Sequence, residues 1–145
     1  MSLNDNPRTD LQTILDKLHQ TGDWEEREAA LVRLIGSAEQ IRLVVDQSAI
    51  VEHILPHAAD WNERVRARTM EALGTLPQAG AGAVEALCCG MADHDESVRI
   101  AASASLVANT MHNDDSVIDR LLQLFADGRA EVRELALVGV LSMPT

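Results

Sequence analysis

Apolar residues recur along this chain in steps of three, four and seven, the spacing of one face of an α-helix. The pattern is clearest after four arginines. Arg27, Arg66, Arg99 and Arg133 are followed, three and four positions on, by Ala30-Leu31, Thr69-Met70, Ala102-Ser103 and Ala136-Leu137. Seven positions on stand Leu34, Leu73, Leu106 and Val140. Val65, Val98 and Val132 directly precede three of the arginines, whereas Arg27 follows Glu26. A second apolar-patterned segment comes before each of the last three. "IVEHILPHAAD", "AVEALCCGMAD" and "VIDRLLQLFAD" close on Asp60, Asp93 and Asp127. Val51, Val84 and Ile118 fall in register there, as do Ile54, Leu87 and Leu121. "LQTILDKLHQT", residues 11–21, is a looser first copy. The arginines lie 39, 33 and 34 residues apart, so the chain is an internal repeat. Each copy reads as helix A, a turn bearing Asp, and helix B opening on Val-Arg.

The repeat predicts a structural ladder. Asp60, Asp93 and Asp127 each stand six residues before Arg66, Arg99 and Arg133. Each Asp is expected to cap its helix B and to meet an Arg of its own or the neighbouring copy. Arg27 belongs to the same series, but Asp23 lies only four residues before it, which leaves its rung open. An exposed pair of this kind contributes about 0–1 kcal/mol, so Arg99→Ala is expected to cost about 1 kcal/mol or less. The ladder would set register, and buried apolar faces would supply most of the stability.

Composition narrows the class. Hydrophobic residues make up 46% of the chain and aromatic residues 2%, with no Tyr. Ala, Leu, Val and Ile suit close helix packing better than a β-sandwich, and the expected class is all-α. The net charge of −11 speaks against a nucleic-acid backbone or an anionic membrane as partner. It fits a solvated acidic surface, or a basic protein partner. No uncharged apolar run reaches the length of a membrane span. Cys88 and Cys89 are adjacent, form no disulfide framework and suggest a reducing, cytoplasmic setting. Residues 1–8 read as a disordered or vector-derived tail.

The candidate chemistry is thin. His53 and His57 are four apart beside Glu52, a ligand-like spacing, but Pro56 interrupts that turn. No metal, cofactor or catalytic residue is expected. Cys88 aligns with Leu55 and Leu122 as a core residue, and Cys89 aligns with Pro56 and Gln123. "AGAG" at 79–82 lacks the Lys-Ser/Thr of a phosphate loop.

"DHDESVRIAASASL", with "AVEALCCGMA" before it, resembles the short type of HEAT repeat. The resemblance implies a right-handed α-α superhelix of about four helix pairs over residues 9–143. The copies would span about 9–36, 37–75, 78–109 and 114–143. The long junction "SAEQIRLVVDQSAIVEHIL" is similar to an armadillo repeat, in which an extra short helix precedes the main pair. The implied function is a non-catalytic protein–protein scaffold or adaptor. Its helix B surface would carry Arg68, Glu71, Ala104, Ser105, Leu135 and Val138, and its turns would present Trp24 and Trp61. Helix A of the first copy, with Gln12, Thr13, Asp16, Lys17 and Gln20, would act as a polar cap. The last helix is apolar on all sides after Glu134 and would pack on a further repeat or a partner. An alternative is a HEAT-like enzyme or accessory domain of lyase type. No His is followed by Glu, so the di-iron chemistry of some relatives has no residues to carry it. A third reading follows "DWEEREAALVRL", which resembles the opening of tubulin-binding TOG domains at Trp24 alone.

Overall fold

The computed structural model describes residues 7–20, 22–44, 47–76, 80–109 and 115–141, which are helical throughout apart from short turns. The helices are α1 (Pro7–Gln20), α2 (Trp24–Gly36), α3 (Ala38–Val44), α4 (Gln47–Ile54), α5 (Glu63–Gly74), α6 (Gly80–Gly90), α7 (Glu96–Asn109), α8 (Asp115–Leu124) and α9 (Ala130–Leu141). No strand occurs among the described residues. The helices form two layers. The B helices α2, α5, α7 and α9 pack each on the next, with α5 against α7 the most extensive contact. The A helices α1, α3–α4, α6 and α8 cover them. This is the stacked arrangement of a solenoid, and the periodic positions build its core. Val65, Val98 and Val132 are fully buried at the start of three B helices, and Leu34, Leu73 and Leu106 lie buried two turns on. In α9 the matching Val140 is half-buried and Leu137 is half-exposed.

The first copy begins earlier than the tail expectation allows. Pro7 opens α1, where its fixed φ and missing N–H are tolerated. Residues 1–6 of that tail lie outside the described residues. In the second copy three helical pieces precede α5: α3, α4 and then a 3-10 turn at Leu55–Ala59. Pro56 supplies no N–H to continue α4, so the chain tightens there.

The helix caps differ from the expectation. Asp60, Asp93 and Asp127 stand three residues before their helices begin, which is too far to reach the free N–H groups of the first turn. Asn62 caps α5 instead, accepting from Arg64 N at 2.9 Å and Val65 N at 3.3 Å. Asp95 does the same for α7 through Ser97 N at 2.9 Å and Val98 N at 3.3 Å. Asp23 caps α2. The three repeat aspartates brace the turn: each accepts at 2.9 Å from the N–H two residues on, at Asn62, Asp95 and Arg129. Asp95→Ala is therefore expected to lower stability by about 1 kcal/mol. Asp95→Ser should recover most of that loss in a urea titration.

The turn aspartates and the arginines do interlock. Arg27 Nε donates to Asp60 Oδ2 at 2.8 Å and its Nη2 to Oδ1 at 3.1 Å. Arg66 repeats this with Asp93 at 3.0 and 3.2 Å. The six-residue spacing has its own cause. The Nη1 of Arg66, Arg99 and Arg133 folds back to the carbonyl of the Asp six before it, at 2.9, 2.8 and 2.8 Å. Each of these aspartates thus holds its own Arg with its carbonyl, and in two cases it holds the preceding copy's Arg with its carboxylate. Burial alone would raise the Asp60 carboxyl; the Arg27 hydrogen bond, the Asn62 N–H and the Arg27 charge outweigh it and hold the group below its ordinary value. The third junction differs. Asp127 takes Arg129 at 3.1 and 3.3 Å, and no bond joins it to Arg99 among the described residues.

Candidate functional site

An open groove of about 580 Å³ lies on the B face between α2, α5 and α7. Ile35 forms one wall, and Ile100, Ala101, Ala104 and Ala108 form the other. Gly74, Thr75 and Ser105 lie between them, with Glu71 and Ser97 as the charged and polar margin. The floor is low because α5 and α7 approach closely. A Cβ on Gly74 would sit 2.4 Å from Ser105 Oγ and 2.9 Å from Ser105 Cα. Small residues here serve helix packing, and the same smallness leaves the trough above them.

The expected contact residues distribute unevenly. Glu71, Ala104 and Ser105 line the groove, although Ser105 is buried at its base, with 6% exposure. Arg68 is held at the margin, Nε 3.3 Å from Glu28 Oε2 and Nη1 3.1 Å from Glu71 Oε2. Leu135 packs partly buried against the core of α9, and Val138 is half-exposed on that helix away from the groove. Ile35 and Ile100 were not singled out from the sequence. Ile100 shares a helical face with Ala104 and Ala108, each four residues on, and that spacing was the available signal.

The turns form a second surface. Trp61 is 69% exposed, whereas Trp24 is partly buried against the core. Each meets a guanidinium of the other copy: Arg64 lies 5.7 Å from the Trp24 ring centre and Arg27 lies 6.0 Å from that of Trp61. Arg64 is further tied to Glu28 at 3.2 Å. This crossed pairing links the first two copies at their turns.

Groups capable of chemistry do not gather at the groove. Cys88 is buried in α6, and burial pushes its thiol up to about 11, so it stays protonated at neutral pH. Cys89 is exposed, its Sγ 3.8 Å from Glu85 Oε1. His53 and His57, on either side of the start of the 3-10 turn, both pack against His19 but differ in burial. His57 is carried inward, where burial and then the neighbouring His19 pull its imidazole below the ordinary value. His53 stays exposed and meets His19 of α1. No group of three or more His, Cys, Asp or Glu able to hold a metal occurs among the described residues. Among them, too, no helix is long and apolar enough to cross a membrane.

Two stacked layers of helices, joined by braced turns and open along one face, define an α-solenoid of the kind that generally serves in protein interaction. The chain belongs to the HEAT-repeat family: that family's sequence profile, described as HEAT repeats, matches residues 51–142. The match covers the copies from α4 onward, including the B helices α5 and α7 of the groove. No curated protein matches the chain.

Proposed function

We propose that this chain is a non-catalytic, cytoplasmic scaffold that receives an apolar segment of a protein partner in the groove between α2, α5 and α7. The observation that carries this reading is an exposed isoleucine beside a preformed apolar trough. Ile100 is 54% exposed, and the alanines beside it offer room for bulky side chains of a peptide or helix. The net charge of −11 favours basic residues flanking that segment. A rigid, preformed surface limits the entropy cost of binding. Trp61 in its turn supplies a second contact, since exposed Trp residues make strong interface anchors. The scattering of Cys88, His57 and the carboxylates speaks for this reading over a lyase-type enzyme. Trp24, half-covered by the core, is a weaker anchor than a tubulin-binding module would use.

The test is affinity capture followed by direct titration. Ile100→Asp is expected to leave the helical signal intact and weaken a captured partner at least about tenfold. Trp61→Ala is expected to weaken it less. A partner that binds wild type and Ile100→Asp equally would remove the groove from the interface. Sensitivity to Trp61→Ala alone would move the contact to the turns.

A further inference from the structure

The last turn of α1 and the last turn of α4 bring two imidazoles together. His19 Nε2 and His53 Nδ1 lie 2.9 Å apart, and both side chains are exposed. In the resting state one nitrogen donates and the other accepts, according to tautomer. Two neutral imidazoles can equally present both lone pairs to a common point. That change moves a proton within one ring and releases none to solvent. A zinc ion holds imidazole nitrogens at about 2.0–2.1 Å, which in tetrahedral geometry places two of them about 3.3 Å apart. The observed gap needs to widen by about 0.4 Å, and the two exposed rings must also turn so that both lone pairs meet at one point.

A third imidazole belongs to the same cluster. His57 packs its ring against His19, centroids 5.6 Å apart, and its Nε2 is buried without a hydrogen-bond partner. The third imidazole thus stands behind the pair with an unused nitrogen.

We propose that His19 and His53 form a two-imidazole site for a divalent transition-metal ion, zinc being the type case, that staples α1 to α4. Water completes the coordination shell of this open site. The ion ties the A helix of the first copy to the A layer of the second, and it favours the folded state by binding where α1 is docked. The site is independent of the groove and of any partner.

Zinc sulfate titrated calorimetrically into the whole chain tests this, with His19→Ala, His53→Ala and Cys89→Ser as variants. Cys89 is included because it is the exposed thiol that could compete for zinc. One site is expected in the wild type and in Cys89→Ser. Each histidine variant should bind at least about tenfold more weakly, with unchanged helicity. Saturating zinc should raise the melting temperature of the wild type and leave that of both histidine variants unmoved. Equal binding by wild type and both histidine variants, loss confined to Cys89→Ser, or no zinc binding by the wild type would each overturn the proposal.

Discussion

Arg66→Ala is expected to cost about 3 kcal/mol of folding stability, several times the cost of Arg99→Ala. Arg66 gives up four hydrogen bonds. Two go to the Asp93 carboxylate, and two go to the carbonyls of Asp60 and Trp61 at 2.9 and 3.2 Å. The side chains of the pair are only 9% and 14% exposed, so the deletion strands a carboxylate largely removed from water. The low value suited to a surface pair does not apply at this rung or at Arg27–Asp60, whose side chains are 8% and 7% exposed. Arg66→Lys should recover little, because a point charge cannot reproduce the two-pronged contact and also reach the carbonyls. Arg99 lacks the rung to Asp127, and its removal is expected to cost about 1 kcal/mol or less. Urea unfolding of the three variants decides the matter. Equal losses for Arg66→Ala and Arg99→Ala would mean that the interlocked pair contributes nothing beyond the local carbonyl contact.

Gly74→Val is expected to cost about 2–3 kcal/mol through overpacking at the tightest point between α5 and α7. The new Cβ would lie 2.4 Å from Ser105 Oγ, 2.5 Å from Ser105 Cβ and 2.9 Å from Ser105 Cα. The side-chain atoms can be removed, but the Cα belongs to the backbone of α7, so the helices must separate. Ser105→Gly should therefore rescue Gly74→Val only in part, and the double variant measures how much of the cost lies in the helix spacing. Gly36 is the internal control. It ends α2, and a Cβ added there would meet nothing within 4 Å, so Gly36→Ala should be neutral or slightly stabilising. A Gly74→Val protein as stable as the wild type would show that α5 and α7 part without loss. The groove walls, which depend on that spacing, would then be adjustable.

The ladder shows how far sequence reasoning reached. The six-residue spacing of Asp and Arg drew attention to the turn residues, because a repeat writes the same contact more than once. It could not show that the carbonyl, and not the carboxylate, accounts for that spacing. Nor could it show that Asn62 and Asp95 are the caps. Both depend on where the first helical turn closes, and helix boundaries are weakly encoded. The groove was half legible. Ala104 and Glu71 followed from helical offsets, whereas Ile35 and Ile100 line the same trough from different copies. Leu135 and Val138 occupy equivalent positions one copy later, yet they lie off the groove.

The histidines mark the same boundary from the other side. His53 and His57 are near in sequence, yet one is exposed and the other buried. His19 and His53 are 34 residues apart, and the docking of α1 brought them together. The chain's own pattern determined that it is an all-helical repeat and marked most of its buried positions, since periodicity is a local property. The tertiary structure alone decided how closely adjacent B helices approach, which small residues face a trough and which side chains from distant copies meet. Those outcomes depend on the packing of one copy against the next, and no single stretch of sequence carries that information.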